Sequence, residues 1–210
     1  MSERATGRST VRGREPIGII LAGGMGRRIG GSKAVVELCG RPLICYPLEA
    51  MKAVLNEVRI VAKADTELPS LPGVTVWIEP ERPRHPLVGI VQALGLAEGR
   101  AVVVCALDLP FVTPGLLGEL ATADPGNAPA VIVACDGAVQ PLLGCYQSSA
   151  GPLLAPAARA GVMPLRDAVA AIGARRLELD DPVALFNINA PDDLLQAAGM
   201  LDAKRLGAAP

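Results

Sequence analysis

The stretch Ile20-Leu-Ala-Gly-Gly-Met-Gly-Arg-Arg-Ile-Gly-Gly-Ser-Lys33 places five glycines and three cations within fourteen positions, directly behind an apolar run. That combination suits an anion. Glycines let the backbone turn successive N–H groups toward one point, a nest of partial positive charge that side chains would obstruct. Arg27, Arg28 and Lys33 add whole charges. A second chemical group stands in Cys105-Ala-Leu-Asp-Leu-Pro-Phe111, where Asp108 ends the strongest strand-like run of the chain. A carboxylate beside a phosphate cradle suits Mg²⁺, which takes one or two protein carboxylates and fills its shell with phosphate oxygens and water. The plainer readings are a basic surface turn for the first stretch and an Asx-turn or helix cap before Pro110 for the second.

Two well-known phosphate loops fit poorly. A Walker A loop requires Gly-Lys-Ser/Thr at its end, whereas Gly31 is followed by Ser32-Lys33 in the reverse order. A dinucleotide fingerprint requires a third glycine where Ile29 stands. It also needs an acidic residue about 20 positions on, and Asp65 lies about twice as far.

These groups need a scaffold that brings distant loops together. Pro16 to Ala22 contains a continuous apolar run, as expected of a strand buried on both faces. Further strands are expected at 58–62, 74–78, 101–107 and 130–135, with helices at 43–55, 87–97 and 114–121 between them. Residues 140–146 read as an antiparallel edge strand. Helices at about 149–159 and 164–172, short strands around 175–179 and 183–188, and a helix from 191 follow. Such alternation implies right-handed crossovers and a three-layer α/β sandwich around a mostly parallel sheet. Ligands bind such sheets beyond the carboxyl ends of the strands, where both Lys33 and Asp108 fall.

Composition narrows the partners. Half of the 210 residues are apolar but only 2% are aromatic, so the core must be built from Ala, Val, Leu and Ile. A net charge of -1 gives no global field for nucleic acid or anionic lipid. Apolar runs stop short of membrane-spanning length, and the N-terminus has no signal-peptide core, so a cytoplasmic protein is expected. The five cysteines form no Cys-x-x-Cys pair, and His85 is the only histidine, which argues against zinc. Residues 1–15 read as a disordered Arg-rich tail and 16–204 as a single domain.

The ordered set of motifs resembles the molybdenum-cofactor guanylyltransferases, a family of MobA-like nucleotidyltransferases. LAGGMGRRIGGSKAVVELCGRPL resembles its N-terminal signature, HPLVGI its Gly-Pro-Leu-x-Gly segment, CALDLPFV its Asp-x-Pro-Phe motif, and FNINAPDDL its Asn-x-Asn-Thr-Pro-Glu-Asp-Leu ending. The resemblance spans about residues 16 to 197. It implies a nucleotide-diphospho-sugar transferase fold and transfer of GMP from GTP to the phosphate of molybdopterin, with release of pyrophosphate. It further implies a nucleotide site at Leu21, Ala22, Gly23, Gly24, Lys33, Glu79 and Asp108, with Lys33, Arg28 and Asp108 catalytic and Asp108 holding Mg²⁺. Asn187 and Asn189 would face the pterin, with Arg166 and Pro141 as weaker candidates. GTP and molybdopterin are the implied small-molecule partners, beside other cofactor-biosynthesis proteins and acceptor molybdoenzymes.

The sequence departs from the family at several positions. Ile29 and Ser32 replace the usual Met and Asp, Ala62-Lys63-Ala64 stands where an Asn is common, and His85 replaces a Gly. Glu79 matches the expected carboxylate only with one residue of slippage relative to Glu81. Relatives that use CTP carry Leu-Ala-Ala-Gly, so Gly23-Gly24 leans toward guanine, on the rationale that a missing side chain leaves room for a purine. A cytidylyltransferase, another small nucleotidyltransferase of this fold and a non-catalytic GTP-binding relative remain alternatives.

Overall fold

A computed structural model of the protein describes residues 15–24 and 32–207. Arg27, Arg28 and Ile29, and residues 1–14 of the expected tail, lie outside the described residues. Glu15, assigned to that tail, is tied to the body: its carboxylate accepts from Asn56 Nδ2 at 2.6 Å and its carbonyl from Arg100 Nε at 2.8 Å.

Most of the strands appear where the sequence predicts them, and the buried central ones coincide with apolar runs. In chain order they are β1 (Ile17–Leu21), β2 (Glu37–Leu38), β3 (Arg41–Pro42), β4 (Val58–Ala62), β5 (Thr75–Ile78), β6 (Val102–Ala106), β7 (Ala130–Cys135), β8 (Ala138–Tyr146) and β9 (Arg175–Glu178). Seven of them form one sheet in the order β5-β4-β1-β6-β8-β7-β9. β1 pairs in parallel with both β4 and β6, whereas β8 runs antiparallel between β6 and β7.

Helices cover both faces. α1 (Cys45–Lys52), α3 (Pro114–Thr122) and α6 (Pro191–Gly207) contribute Leu48, Met51, Leu117, Leu120 and Ala197 to the core on one side, against Ile20, Ile60, Val103 and Cys105. On the other side, α2 (Pro86–Leu96), α4 (Ala150–Ala160) and α5 (Leu165–Ala171) pack Leu87, Ile90, Leu154 and Val169 on Ile17, Ile19, Val102 and Val104. The period-two alternation of each strand divides its side chains between these two cores. This is the expected three-layer α/β sandwich.

Two expectations are corrected. The strand at 140–146 is not an edge: Val102 to Cys105 bond it on one side and Ala130 to Ile132 on the other. Pro141 would ordinarily belong at an edge, because proline cannot donate to a ladder. It is accommodated because the register of β7 jumps from Gly144 opposite Ile132 to Gln140 opposite Val133, leaving Pro141 in a bulge. The expected strand at 183–188 is instead a 3-10 turn at Pro182–Leu185, started by Asp181, whose Oδ1 accepts from Val183 N–H at 2.9 Å. A feature the sequence reading omitted is the two-stranded ribbon of β2 and β3, turned at Cys39 and Gly40, with φ values of 51° and 75°. Positive φ at both central positions suits the right-handed twist of a tight hairpin.

Candidate active site

The parallel strands β1, β4, β5 and β6 end on one side, and a cleft of about 360 Å³ opens there. Leu21, Gly23, Gly24, Lys33, Glu79 and Asp108 line it, so six of the seven expected nucleotide residues share one cavity. Ala22 does not line it: the residue is buried, and its N–H donates to the Val61 carbonyl at 2.8 Å. The Leu21 carbonyl already accepts from Leu107 N–H at 3.3 Å, a bond that joins the ends of β1 and β6 below the cleft.

Lys33 is the focus of the cleft. Its ammonium donates to Asp108 Oδ2 at 2.8 Å and to Asn189 Oδ1 at 2.6 Å. The two acceptors come from distant parts of the chain, and backbone contacts hold them in register. Ile188 N–H donates to the Asp108 carbonyl at 3.0 Å, and Phe111 meets Phe186 edge to face with ring centroids 5.9 Å apart. Asp193, in the first turn of α6, accepts from Asn189 N–H at 2.7 Å and Ala190 N–H at 2.8 Å. An acidic third helical residue reaching back to the cap is half of a capping box. The same carboxylate therefore starts α6 and fixes the backbone of Asn189.

An ammonium bonded to two side-chain oxygens marks a position where a cation is welcome. Among the described residues no three His, Cys, Asp or Glu side chains gather into a metal cluster. Asp108 and Asn189 are thus the oxygen pair that could hold a hard cation, one that draws its other ligands from phosphate and water.

Asn189 and Asn187 separate in the structure, with Asn189 at Lys33 and Asn187 exposed. Arg166 is exposed on α5 and outside the cleft lining. Pro141 is buried, its carbonyl accepting from Tyr146 Oη at 2.6 Å; the neighbouring Leu142 reaches the cleft wall instead. His85 also lines the cleft, and its Nδ1 caps α2 by accepting from Leu87 N–H at 3.3 Å.

Glu79 sits in a slot defined by two glycines. A Cβ on Gly23 would collide with Glu79 Oε1, and one on Gly89 would stand 2.9 Å from Oε2. This corrects the rationale for Gly23: the space beside it is filled by a carboxylate, not left for a purine, whereas among the described residues nothing stands within 4 Å of a Cβ on Gly24. Lys63, which sequence reasoning noted only as a departure, bonds this carboxylate at 3.2 Å. The available signal was positional, since Lys63 and Glu79 each follow directly on a predicted strand, where a sheet of this kind places its ligand-binding groups. Burial raises the Glu79 carboxyl above the usual range, and the hydrogen bond from Lys63 opposes that rise.

Comparison with known proteins places this geometry in context. The sequence profile of the MobA-like NTP transferase domain matches residues 18–177. A molybdenum cofactor guanylyltransferase from Cereibacter sphaeroides is 34% identical over 188 residues, covering 88% of this chain and 96% of its own length. A probable molybdenum cofactor guanylyltransferase from Chloroflexus aggregans is 36% identical, with 84% of this chain and 90% of that protein covered. The crystal structure of molybdopterin-guanine dinucleotide biosynthesis protein A from Archaeoglobus fulgidus superposes with a TM-score of 0.77 at 28% identity, over 89% of this chain and 99% of that one. With a profile matched across most of its length and relatives above 30% identity over nearly their whole chains, this protein belongs to the MobA-like NTP transferase family, a family of nucleotidyltransferases.

Proposed function

We propose that the chain transfers GMP from GTP to the terminal phosphate of molybdopterin, releasing pyrophosphate and forming the guanine dinucleotide cofactor. The observation that carries this reading is the Lys33 ammonium, bonded at once to Asp108 and Asn189, in a cleft that Lys33 and Asp108 line together with the Glu79 carboxylate. Lys33 and Asp108 suit phosphate and a cation, and Glu79 suits a base.

The reaction needs no protein nucleophile. An oxygen of the pterin phosphate attacks the α-phosphorus in line as the bond to pyrophosphate breaks, so the protein's task is to hold two mutually repelling anions and to offset developing charge. Lys33 supplies a full positive charge, with Arg28 and the loop N–H groups as further donors. Asp108 and Asn189 would hold the divalent cation, for which magnesium is the natural choice; when bound it supplies positive charge against the phosphate oxygens. Lys33 holds the two oxygens that such a cation would take, and a Lys33 released from Asp108 would be available to phosphate.

In the same cleft, no described residue fills the space beside Gly24, and Glu79 offers acceptors to a base. No helix among the described residues is long and apolar enough to cross a membrane, and a reaction that consumes GTP belongs in the cytoplasm. The decisive experiment mixes the chain with magnesium, molybdopterin and equal GTP and CTP, and follows pyrophosphate and the dinucleotide product. The guanine dinucleotide is expected to dominate. A dominant cytosine product would transfer the assignment to a cytidylyltransferase, and GTP binding without pyrophosphate release would reduce the chain to a binding protein.

A further inference from the structure

Lys63 and Glu79 are the buried charged residues of the described chain, with 3% and 6% of their surfaces exposed. They end neighbouring parallel strands, and Glu79 N–H donates to the Ala62 carbonyl at 2.9 Å, which fixes one strand end against the other. The Lys63 ammonium stands 3.2 Å from Glu79 Oε1 and donates to the Pro80 carbonyl at 2.7 Å. Gly23 and Gly89 clear the two sides of the carboxylate. A buried charge is retained only where it is paired and hydrogen-bonded, and this one is seated in the wall of the nucleotide cleft.

We propose that Lys63 is the positioning residue for base selection: it clamps Glu79 in the slot left by Gly23 and Gly89, so that an ionised carboxylate faces the nucleobase. The inference rests on the reading of the chain as a guanylyltransferase. Guanine presents adjacent N1–H and N2–H donors on its pairing edge, and a carboxylate accepts from both. Cytosine presents the N3 acceptor beside its amino group, and that lone pair is repelled by a carboxylate. A protonated Glu79 would offer a donor in place of an acceptor and lose the match. Lys63 therefore acts through Glu79, and a side chain on Gly23 would act the same way, by evicting the carboxylate.

The groups facing Glu79 are Lys63 from the end of β4, and Glu81 and Arg84 from the segment before α2. His85 caps α2 in the same cleft. Burial is the largest influence and raises the carboxyl; Lys63 is the largest opposing one, while Glu81 raises it and Arg84 lowers it slightly. Arg84 is also paired with Asp65 at 2.8 Å in solvent and makes a poor substitute. Without Lys63 the carboxyl rises further. Guanine binding needs the ionised form, so it is then strong at high pH and lost as pH falls through the raised value.

The test measures nucleotide affinity calorimetrically on the full chain with magnesium and no pterin acceptor, for GTP, ITP and CTP. At about pH 6.5, Lys63→Met is expected to weaken GTP binding about tenfold to a hundredfold, the value of a charge-assisted hydrogen bond. Binding should recover toward about pH 8.5, whereas the wild type stays flat over that range. ITP, which lacks the 2-amino group, should suffer less, CTP should not weaken, and Lys63→Arg should restore part of the preference. The double variant Lys63→Met/Glu79→Gln carries no buried charge and guards against misfolding of the single one. It should show no preference for GTP over CTP at any pH. A folded Lys63→Met, or the double variant, that keeps the wild-type preference with a flat profile overturns the proposal alone. A wild type indifferent between GTP and CTP would instead overturn the guanylyl reading and this inference with it.

Discussion

A single substitution separates the proposed role of Lys33 in turnover from any role in folding. Its side chain and that of Asp108 are 14% and 19% exposed, so water can solvate whichever partner remains when the other is removed. Lys33→Ala is therefore expected to keep a cooperative melt and native circular dichroism while turnover falls about 10²–10³-fold, the usual loss for one preorganised donor. Asp108→Asn should fall at least as far and resist rescue by added magnesium; near-normal rates in either variant would remove that residue from the mechanism. Both positions were legible in the sequence because each reports on itself: a lysine closing a glycine-rich loop, a carboxylate ending an apolar strand. Asn189 was legible only as a polar residue near a strand end, and its contact with Lys33 spans 156 positions. Lys63 was visible as a departure, but its partner lies across a strand pairing, and no periodicity within one segment reveals such a pair. The role of Gly23 was misread for the same reason, since the occupant of its missing side chain comes from another strand.

Helix starts distinguish residues that hold the fold from residues that hold the site. Thr113 caps α3, its Oγ1 accepting from Leu116 N–H at 3.2 Å. Asp193 opens α6 while also bonding Asn189 N–H. Each substitution to alanine should cost about 1 kcal/mol in urea unfolding. Only Asp193→Ala is expected to lower kcat as well, because it releases the backbone that aims Asn189 at Lys33; equal activity in the two variants would show that Asn189 does not depend on its cap. The elements themselves were largely readable. β6 and β7 fall where their apolar runs lie, because a strand buried on both faces tolerates no polar interruption. β8 was harder, since its Pro141 argues for an edge until the bulge that relieves it is seen. The 3-10 turn at Pro182–Leu185 was hidden by a run of apolar residues that satisfies several templates equally.

Across the whole molecule, the cleft joins the loop after β1, the ends of β4 and β5, the start of α2 and the turn after β6, and Lys33 ties it to Asn189 before α6, so a bound nucleotide would bridge pieces from much of the length of the chain. Ligand binding should then register as global stabilisation and not as the tightening of one loop. For a ligand at about 100 times its Kd the gain is about 2.7 kcal/mol. In a chain of this size each kilocalorie moves the melting temperature by roughly 2–4 °C, so GTP with magnesium should raise it by about 5–10 °C. GTP with a chelator should give a smaller rise, because the phosphate charge is then offset by Lys33 and the loop alone. Asp108→Asn should bring the two conditions together, since its loss removes the carboxylate that distinguishes them. If the magnesium-dependent part of the shift survived in Asp108→Asn, the cation would sit elsewhere, and the convergence of Asp108 and Asn189 on Lys33 would be an internal ion pair of the fold without a role in holding metal.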